Sequence, residues 1–388
     1  MAVDHDDIKV GFLSHMFPSS LAPNAVPFMM ERVIALSRLV SLEIVAPVSF
    51  FPFLRKKLPP EKENFRELQI WHPRYLALPS PFWNFRWLTY LHSLKIFFRN
   101  YTGRCDILHI EWIYPDAFAA VRFAKKKGIK TVGVVHGNEA IGYYDPRRHR
   151  QKYIEVLAAL DKIIVVSKDL KNKLINEYYV EPDKIAIILN GVNLEKFRLG
   201  NKIKAREKLN LSAQSSIGVC VARLSEEKNL HILIQSVAKL QEQSPEIYIV
   251  GDGPLKKELL EQIDHYGVEQ KVKLVGSVPH EKISLWLGAC DFFCLPSQRE
   301  GCPVVIHEAL ACGRPVISTT VGAIPDLIKD DRYGLLCEPN NVTAFADIMK
   351  KAMSMKWDRN TISAYGRQFT WDKMARETVK IYKSILNS

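Results

Sequence analysis

Read for the period of its apolar positions, the chain alternates short β-branched runs with longer amphipathic stretches. "IKVGFLS", "SLEIVAP", "CDILHIEW", "KTVGVVHG", "DKIIVVS" and "KIAIILNG" are nearly continuous in apolar character, and most end at Gly, Ser, Pro or Asn before a segment of helical period. A second series follows in "SIGVCVARL", "EIYIVGDG", "VKLVGSV", "DFFCLPS", "RPVISTT" and "YGLLCEP". Strands that are apolar on both sides and separated by helices suit a parallel sheet covered on both faces. Each series therefore predicts a doubly wound α/β domain. The intervening "NGVNLEKFRLGNKIKAREKLNLSAQSS" is polar and lacks strand character, so the boundary is expected near Val192 to Phe197. The last segment, "TWDKMARETVKIYKSILNS", predicts a helix with Trp371, Met374, Thr378, Ile381, Tyr382 and Ile385 on one side.

The expected organisation is a Rossmann-like domain over 1–193, a second over 194–368 and a terminal helix over 369–388. A length of 388 residues agrees with two domains. One stretch departs from the alternation. Over about 50–101 the runs "FFPFLRKKLPP", "IWHPRYLALPSPFWNFRWLTY" and "LKIFFRNY" interleave aromatic residues with Arg and Lys and hold few acids. Three readings stand: the aromatics fill the core of an insertion, meet a membrane at headgroup level, or stack on nucleic-acid bases. The formal charge of +12 agrees with any anionic partner and selects none.

No apolar run reaches the ~20 residues of a membrane span. The acidic opening "MAVDHDDIKVGFLSHMFP" lacks the basic and then hydrophobic profile of a secretory signal, so a cytoplasmic location is expected. The seven cysteines sit mostly in apolar contexts, as do Cys220, Cys290, Cys294, Cys312 and Cys337, and are expected to be reduced. Cys290 and Cys294 are four apart with no second pair at zinc spacing. The acids Asp4, Asp6 and Asp7 lie at the terminus and Asp330-Asp331 reads as a turn, so no metal site is expected. There is neither a GxSxG elbow nor a P-loop.

In doubly wound sheets ligands lie beyond the carboxyl ends of the strands, which directs attention to the strand-end loops. In "DFFCLPSQREGCPVVIHEALACGRPV" a strand leads through "QREGC" into a helix, with Pro303 in its first turn and Gly313 just past its end. Glu300 then precedes the helix and Glu308 lies in its second turn, near the end whose free N–H groups attract anions. That arrangement suits a phosphorylated ligand, with Glu308 on a pair of hydroxyls such as a ribose and Glu300 on whatever lies past the phosphate. Favourable placement of two acids on the helix dipole is the plainer alternative. In "VARLSEEKNL", Arg223 and Lys228 follow a strand and can converge on a diphosphate, or else form a solvated surface pair. His136 ends the strand of "VVHGNEA", where a packing role competes with a ligand. Asn190-Gly191 in "ILNGVN" and Gly251-Asp252-Gly253 in "IVGDGPLKKEL" also lie at strand ends, and tight turns alone explain them.

Taken in order, these motifs resemble the retaining GT-B glycosyltransferases, in particular family 4 of the carbohydrate-active enzymes. "VARLSEEKNLHILIQSVAKL", "IVGDGPLKKEL", "VKLVGSVPHEKISLWLGACDFFCLPSQREGCPVVIHEALACGRPVISTTVGAIPDLI" and "GLLCEPNN" match in register. Glu300 and Glu308 resemble the family's paired glutamates, separated by seven residues. "VVHGNEA", "IIVVSKDLKNKL" and "ILNGVNLEKF" extend the likeness into the first domain. The pattern is most similar to the branch that assembles bacterial surface polysaccharides.

The resemblance implies two Rossmann-like domains facing across a cleft, with the C-terminal helix crossing back to the first. It implies transfer of a sugar from a nucleotide-sugar donor, UDP- or GDP-linked, to an acceptor hydroxyl with retained configuration and without a divalent metal or other cofactor. By carry-over Glu300, His136, Arg223 and Lys228 are the catalytic set. Donor contacts would come from Arg223, Lys228, Glu308, Val278, Pro279, Gly301, Cys302, Pro303, Val304, Gly251, Gly253 and Asn190. The first-strand loop "SHMFPSSLAPNAVPFMMERV" lacks the family's Gly-Gly pair, leaving Ser19 and Ser20 as acceptor-side candidates. Pro303 has no N–H to offer a sugar or phosphate. The expected partners are a nucleotide sugar, a glycan or lipid-linked acceptor and an anionic membrane surface on the inner face, with no nucleic acid. A nucleotide-sugar epimerase and an inactive sugar-nucleotide-binding scaffold are the alternatives; a phosphorylase would need a pyridoxal-phosphate lysine that these motifs do not suggest.

Overall fold

The β-branched runs form strands wherever they were apolar on both sides, and two parallel sheets result. A computed structural model describes residues 6–23, 25–51, 57–78, 82–100, 105–137 and 146–387. Asp4, residues 52–56, 79–81 and 101–104 of the aromatic stretch and its end, and residues 138–140 of "VVHGNEA" lie outside the described residues. The chain divides into two units, Met1–Leu189 together with Trp371–Ser388, and Asn190–Thr370.

Unit 1 contains β1 (Asp6–Leu13), β2 (Val40–Val45), β3 (Val48–Phe50), β4 (Lys62–Phe65), β5 (Leu68–Trp71), β6 (Arg74–Leu76), β7 (Ile107–Ile110), β8 (Lys130–Val135), β9 (Lys162–Val165) and β10 (Ile185–Ile187). Its main sheet runs in the order β10-β9-β8-β7-β1-β2-β5-β4. All pairs are parallel except β4 against β5. All four residues of β7 are buried, as a central strand covered on both faces requires.

The aromatic stretch differs from a simple insertion. Its strand β5 extends the sheet by pairing with β2, Ile44 opposite Ile70, and β4 then closes that edge. β6 pairs with β3 in a separate ribbon. These strands are only three or four residues long, "KENF", "LQIW" and "RYL", too short for an apolar period to be read. The helix Arg86–Asn100 buries Trp87, Tyr90, Leu94 and Phe98 while leaving Leu88 and Ile96 exposed. Core filling thus accounts for one face of this segment only.

Unit 2 contains β11 (Ile217–Val221), β12 (Glu246–Val250), β13 (Val272–Gly276), β14 (Phe292–Leu295), β15 (Val316–Thr319) and β16 (Gly334–Cys337). They form an all-parallel sheet in the order β13-β12-β11-β14-β15-β16. The order reverses between β11 and β14, so the loops leaving these two neighbours diverge to opposite faces and open a crevice.

The polar join belongs to unit 2, with boundaries after Leu189 and Thr370 where the sequence pointed to 193 and 368. Arg206, on the helix Lys202–Lys208, is buried and anchors it there. Its guanidinium meets Asp291 Oδ2 at 2.8 Å and the carbonyls of Ala289, Ser212, Ala213 and Ser215 at 2.9 to 3.1 Å. The two crossings of the chain lie side by side, the Val192 N–H donating to the Phe369 carbonyl at 2.9 Å.

The helix Trp371–Leu386 packs on the helix Pro27–Ser37 of unit 1 and buries Trp371, Met374, Thr378, Tyr382 and Ile385, with Ile381 half-buried. All seven cysteines are free thiols. No helix among the described residues is long and apolar enough to cross a membrane.

Candidate functional site

Unit 2 brings its charged candidates to the β11/β14 junction. β11 ends at Val221, and the chain continues through Arg223 into a 3-10 turn, Glu226–Lys228, before Asn229 starts the helix Leu230–Leu240. β14 ends at Leu295 and leads through Ser297 to Glu300. Lys228 Nζ lies 2.7 Å from Glu300 Oε1, and the Ser297 hydroxyl donates to the same oxygen at 2.7 Å. Glu300 is only 9% exposed, and that cation and that donor offset the cost of burying its carboxyl group. Its Oε2 has no partner among the described residues.

Three glycine contacts hold these loops. Gly251, at φ +149°, presses on the loop carrying Arg223: a Cβ there would lie 1.9 Å from the Ala222 carbonyl oxygen. Gly253 packs in the same way on Leu224. Gly322, at φ +57°, approaches the backbone of Glu300 so closely that a Cβ would sit 2.3 Å from its carbonyl oxygen. Gly251 and Gly253 thus act on the loop's backbone, and their shape role needs no ligand.

The helix after this loop spans Val304–Ala311, and Pro303 is its N-cap at φ −69° and ψ 110°. The sequence placed Pro303 in the first turn; its extended ψ keeps it outside, while its carbonyl accepts the Ile306 N–H at 3.0 Å. The Val304 and Val305 N–H groups are then the first of the helix and have no intrahelical acceptor. Gly301 and Cys302 are buried beneath this turn. The Gly301 carbonyl accepts the Ala323 N–H at 2.8 Å, and the Cys302 carbonyl accepts Asn190 Nδ2 at 2.9 Å. Asn190 Oδ1 is buried and without a partner. Cys302 Sγ lies 3.3 Å from His307 Nε2, and burial pushes the His307 imidazole down to about 3.

Glu308, 4% exposed, stands in the second turn of that helix. Its Oε1 lies 2.8 Å from His280 Nε2, a partner the sequence reading missed. His280 is the first residue of the helix His280–Ala289, capped by Pro279 with Val278 just before it. A ligand edge bordered by Val278 and Pro279 is therefore one residue from the partner of Glu308. Arg223 is exposed; its carbonyl accepts the Ser225 N–H at 2.9 Å, while its guanidinium makes no hydrogen bond or ion pair among the described residues. Its field acts with Lys228 on Glu227, whose carboxyl burial would raise but Ser225, a backbone N–H and these cations hold below the usual range.

In unit 1, His136 follows β8 and its Nε2–H donates to Glu111 Oε2 at 2.6 Å. Glu111 is fully buried, and its Oε1 is shared by His109 Nε2 at 2.9 Å and Arg32 Nε at 2.8 Å. The arginine's approach is electrostatic, since its guanidinium nitrogens lack directed hydrogen bonds. His109 Nδ1 in turn meets the Tyr382 hydroxyl at 2.8 Å. Burial pushes the Glu111 carboxyl up, but Arg32, His109 and His136 together hold it well below its ordinary range. Burial lowers both histidines against the pull of Glu111.

Glu111 was legible only as part of "CDILHIEW", and nothing local announces its partners. Ser19 and Ser20 are not brought to His136. The Ser20 hydroxyl donates to Glu63 Oε2 at 2.6 Å, and Glu63 is also bound by His72 Nε2 at 2.8 Å. Ser19 is buried in a tight bridge with Ala22. Among the described residues no group of three or more His, Cys, Asp and Glu is arranged to hold a metal ion.

Comparison with known proteins places these strand ends. A glycosyl transferases group 1 family model matches residues 201–369, and a glycosyltransferase family 4 model matches 46–196. The putative teichuronic acid biosynthesis glycosyltransferase TuaC of Bacillus subtilis is 26% identical over 89% of both chains. Among solved structures, sucrose-phosphate synthase from Thermosynechococcus elongatus superposes with a TM-score of 0.80 at 18% identity, covering 98% of this chain and 99% of that one. The Anabaena protein HepE, solved in complex with UDP, gives 0.73 at 18% identity over 97% and 100%. With both halves matched in order and the two parallel sheets of that fold present, the chain belongs to the GT-B glycosyltransferases of group 1, family 4.

Proposed function

We propose that the chain transfers a sugar from a UDP- or GDP-linked donor to an acceptor hydroxyl with retention at the anomeric carbon. The observation that carries this reading is the Lys228–Glu300 contact at the β11/β14 junction, the point where an open parallel sheet receives a ligand. There Arg223 and Lys228 meet the diphosphate, the one as a fork and the other as a point charge. Glu308 takes the ribose hydroxyls beside His280, Val278 and Pro279 border the base, and Glu300 faces the transferred sugar. Unit 1, which holds His136, receives the acceptor. As the bond from anomeric carbon to phosphate breaks, charge gathers on the leaving diphosphate and is met by Arg223, Lys228 and the first N–H groups of the helix Val304–Ala311. The proposed reaction uses no metal, so chelation with EDTA leaves the rate unchanged.

The test is a panel of UDP-, GDP- and ADP-sugars scored for thermal stabilisation and slow donor hydrolysis. One donor should stabilise and turn over, with Arg223→Ala losing binding and Glu300→Ala mainly losing turnover. Absence of binding by any donor would leave only the fold in common with the family. Binding without turnover in the presence of acceptors would favour the scaffold alternative, and sugar inversion on the nucleotide the epimerase.

TuaC's name concerns teichuronic acid biosynthesis, which supports an acceptor in polysaccharide or glycolipid assembly. The exposed Phe82, Phe85, Leu88 and Ile96, interleaved with exposed Lys95 and Arg99, favour contact with the anionic inner face of the cell membrane. Flotation with anionic liposomes but not neutral ones is expected, and no flotation with either removes this part of the reading.

A further inference from the structure

The strand order of unit 1 also reverses, between β1 and β7: β2 and β5 lie on one side of β1, and β7 to β10 on the other. The crevice beyond that junction is the ligand position of an open parallel sheet. Ser19 and Ser20 do not supply it, being engaged with Ala22 and Glu63. The residues that leave β1 and β7 there are Ser14, His15, Trp112 and Asp116.

His15 is held with unusual completeness for a loop residue. Its Nδ1 lies 2.5 Å from Asp116 Oδ2, and its backbone N–H donates to Asp116 Oδ1 at 3.1 Å. The Tyr90 hydroxyl donates to that same Oδ1. Asp116 is fully buried, so one carboxylate fixes both the ring and the main chain of His15. The ring stands edge-on to Trp112 at 6.1 Å between centroids, and the Trp112 indole donates to the Ser14 hydroxyl at 3.0 Å. With Nδ1 facing a carboxylate, the proton of a neutral imidazole stays on Nδ1 and the lone pair is left on Nε2. Nε2 has no partner among the described residues, and the side chain is 15% exposed.

Trp112 packs with its other neighbour, His136, at 4.9 Å. There the pinned nitrogen is Nε2, on Glu111, which leaves Nδ1 as the acceptor. Two imidazoles, each oriented by a buried carboxylate, therefore flank one indole at the ends of the adjacent strands β1, β7 and β8. Ring nitrogens left open on imidazoles whose other nitrogen is held by a buried carboxylate match a hydrogen-bond donor without charge. They disfavour phosphate or carboxylate, so the complementary chemistry is a hydroxyl.

We propose that His15 is an acceptor-binding residue whose Nε2 takes a hydrogen bond from a hydroxyl of a sugar or glycosylated acceptor, and that Asp116 is its positioning residue. The proposal rests on the glycosyltransferase reading above, with the acceptor in unit 1.

The experiment uses the full chain labelled with 15N at histidine and titrated with the methyl glycosides of glucose, galactose, mannose and N-acetylglucosamine, and separately with inorganic phosphate. The expected result is a His15 ring protonated on Nδ1 whose Nε2 resonance moves with at least one glycoside and not with phosphate. No movement with any glycoside, or movement with phosphate, overturns the proposal. In kinetics, His15→Ala and His15→Gln should raise the KM for the responding glycoside about tenfold, the cost of one hydrogen bond to a buried partner, while donor hydrolysis and nucleotide binding stay unchanged. Asp116→Asn should act in the same direction by freeing the ring. An equal fall in donor hydrolysis marks a structural role and also overturns it. Failure of every donor to bind would instead sink the underlying glycosyltransferase reading, which the glycoside titration on its own does not.

Discussion

At the β11/β14 junction of unit 2 a lysine meets a glutamate within reach of solvent, the two side chains 21% and 7% exposed. Beside β7 and β8 of unit 1, an arginine, a glutamate and a histidine meet with no exposure at all, and His136 with little. Both clusters stand at the carboxyl ends of parallel strands, yet they answer to different costs. The unit 2 pair keeps an open carboxylate oxygen and a mobile cation, which suits groups that exchange each other for a ligand. The unit 1 cluster has buried its central charge so deeply that removing any one partner leaves another uncompensated. In unit 2 the charges themselves stand at the strand ends, whereas in unit 1 the buried charge orients imidazoles that burial holds toward neutrality.

That contrast predicts where mutation will be felt. The largest effect on stability belongs to Glu111→Ala, which strands Arg32 in the core and should lower unfolding free energy by ~3–5 kcal/mol in urea titration. A loss under ~1 kcal/mol would show that Arg32 finds another partner and would erase the difference between the clusters. Glu300→Gln should do the reverse, cutting turnover by about 10²–10³-fold with nearly unchanged unfolding, because it removes charge at a site that water partly reaches. Equal losses of turnover and stability would make Glu300 structural.

Acid sharpens the comparison further. His307 in unit 2 stays neutral down to about 3 when folded, but takes a proton near the ordinary histidine range once unfolded. The unfolded chain therefore binds the extra proton between these limits, and stability falls as pH drops from ~6.5 toward 3. Glu111, held low in the folded state, adds a loss that begins only below the ordinary carboxylate range. His307→Phe should flatten the upper part of this slope and leave the lower part, as read from thermal midpoints across pH. The smallest expected change is from Tyr382→Phe, which deletes one hydrogen bond to His109 and should cost ~1 kcal/mol.

The contrast also explains what the sequence disclosed. Arg223, Lys228, Glu300 and Glu308 occupy short loops and a helix start, where spacing along the chain fixes spacing in space, so their motifs are readable. His280 reaches Glu308 from 28 residues away, and the spacing of neither residue reveals it. In unit 1, Glu111 collects partners from the helix Pro27–Ser37, from β7 and from the loop after β8, and His109 carries the network on to Tyr382, 273 residues distant. Only the sheet order makes them neighbours. His15 was passed over for the same reason, since Asp116 lies 101 residues on. The strands β4 to β6 escaped because each is three or four residues long and buries a single residue, Glu63, Ile70 or Tyr75, which is too little to show a period.

The last helix has a consequence for the order of synthesis. Unit 2 is one uninterrupted segment whose ends are joined by the Val192–Phe369 hydrogen bond, so everything it needs has left the ribosome once residue 370 is out. Unit 1 begins first but lacks its Tyr382 contact and the cover of Trp371–Leu386 until that helix, on the far side of unit 2 in the sequence, has been made. The half that begins first therefore waits on a segment made after the other half, and until that segment arrives the helix Pro27–Ser37 has an apolar face uncovered.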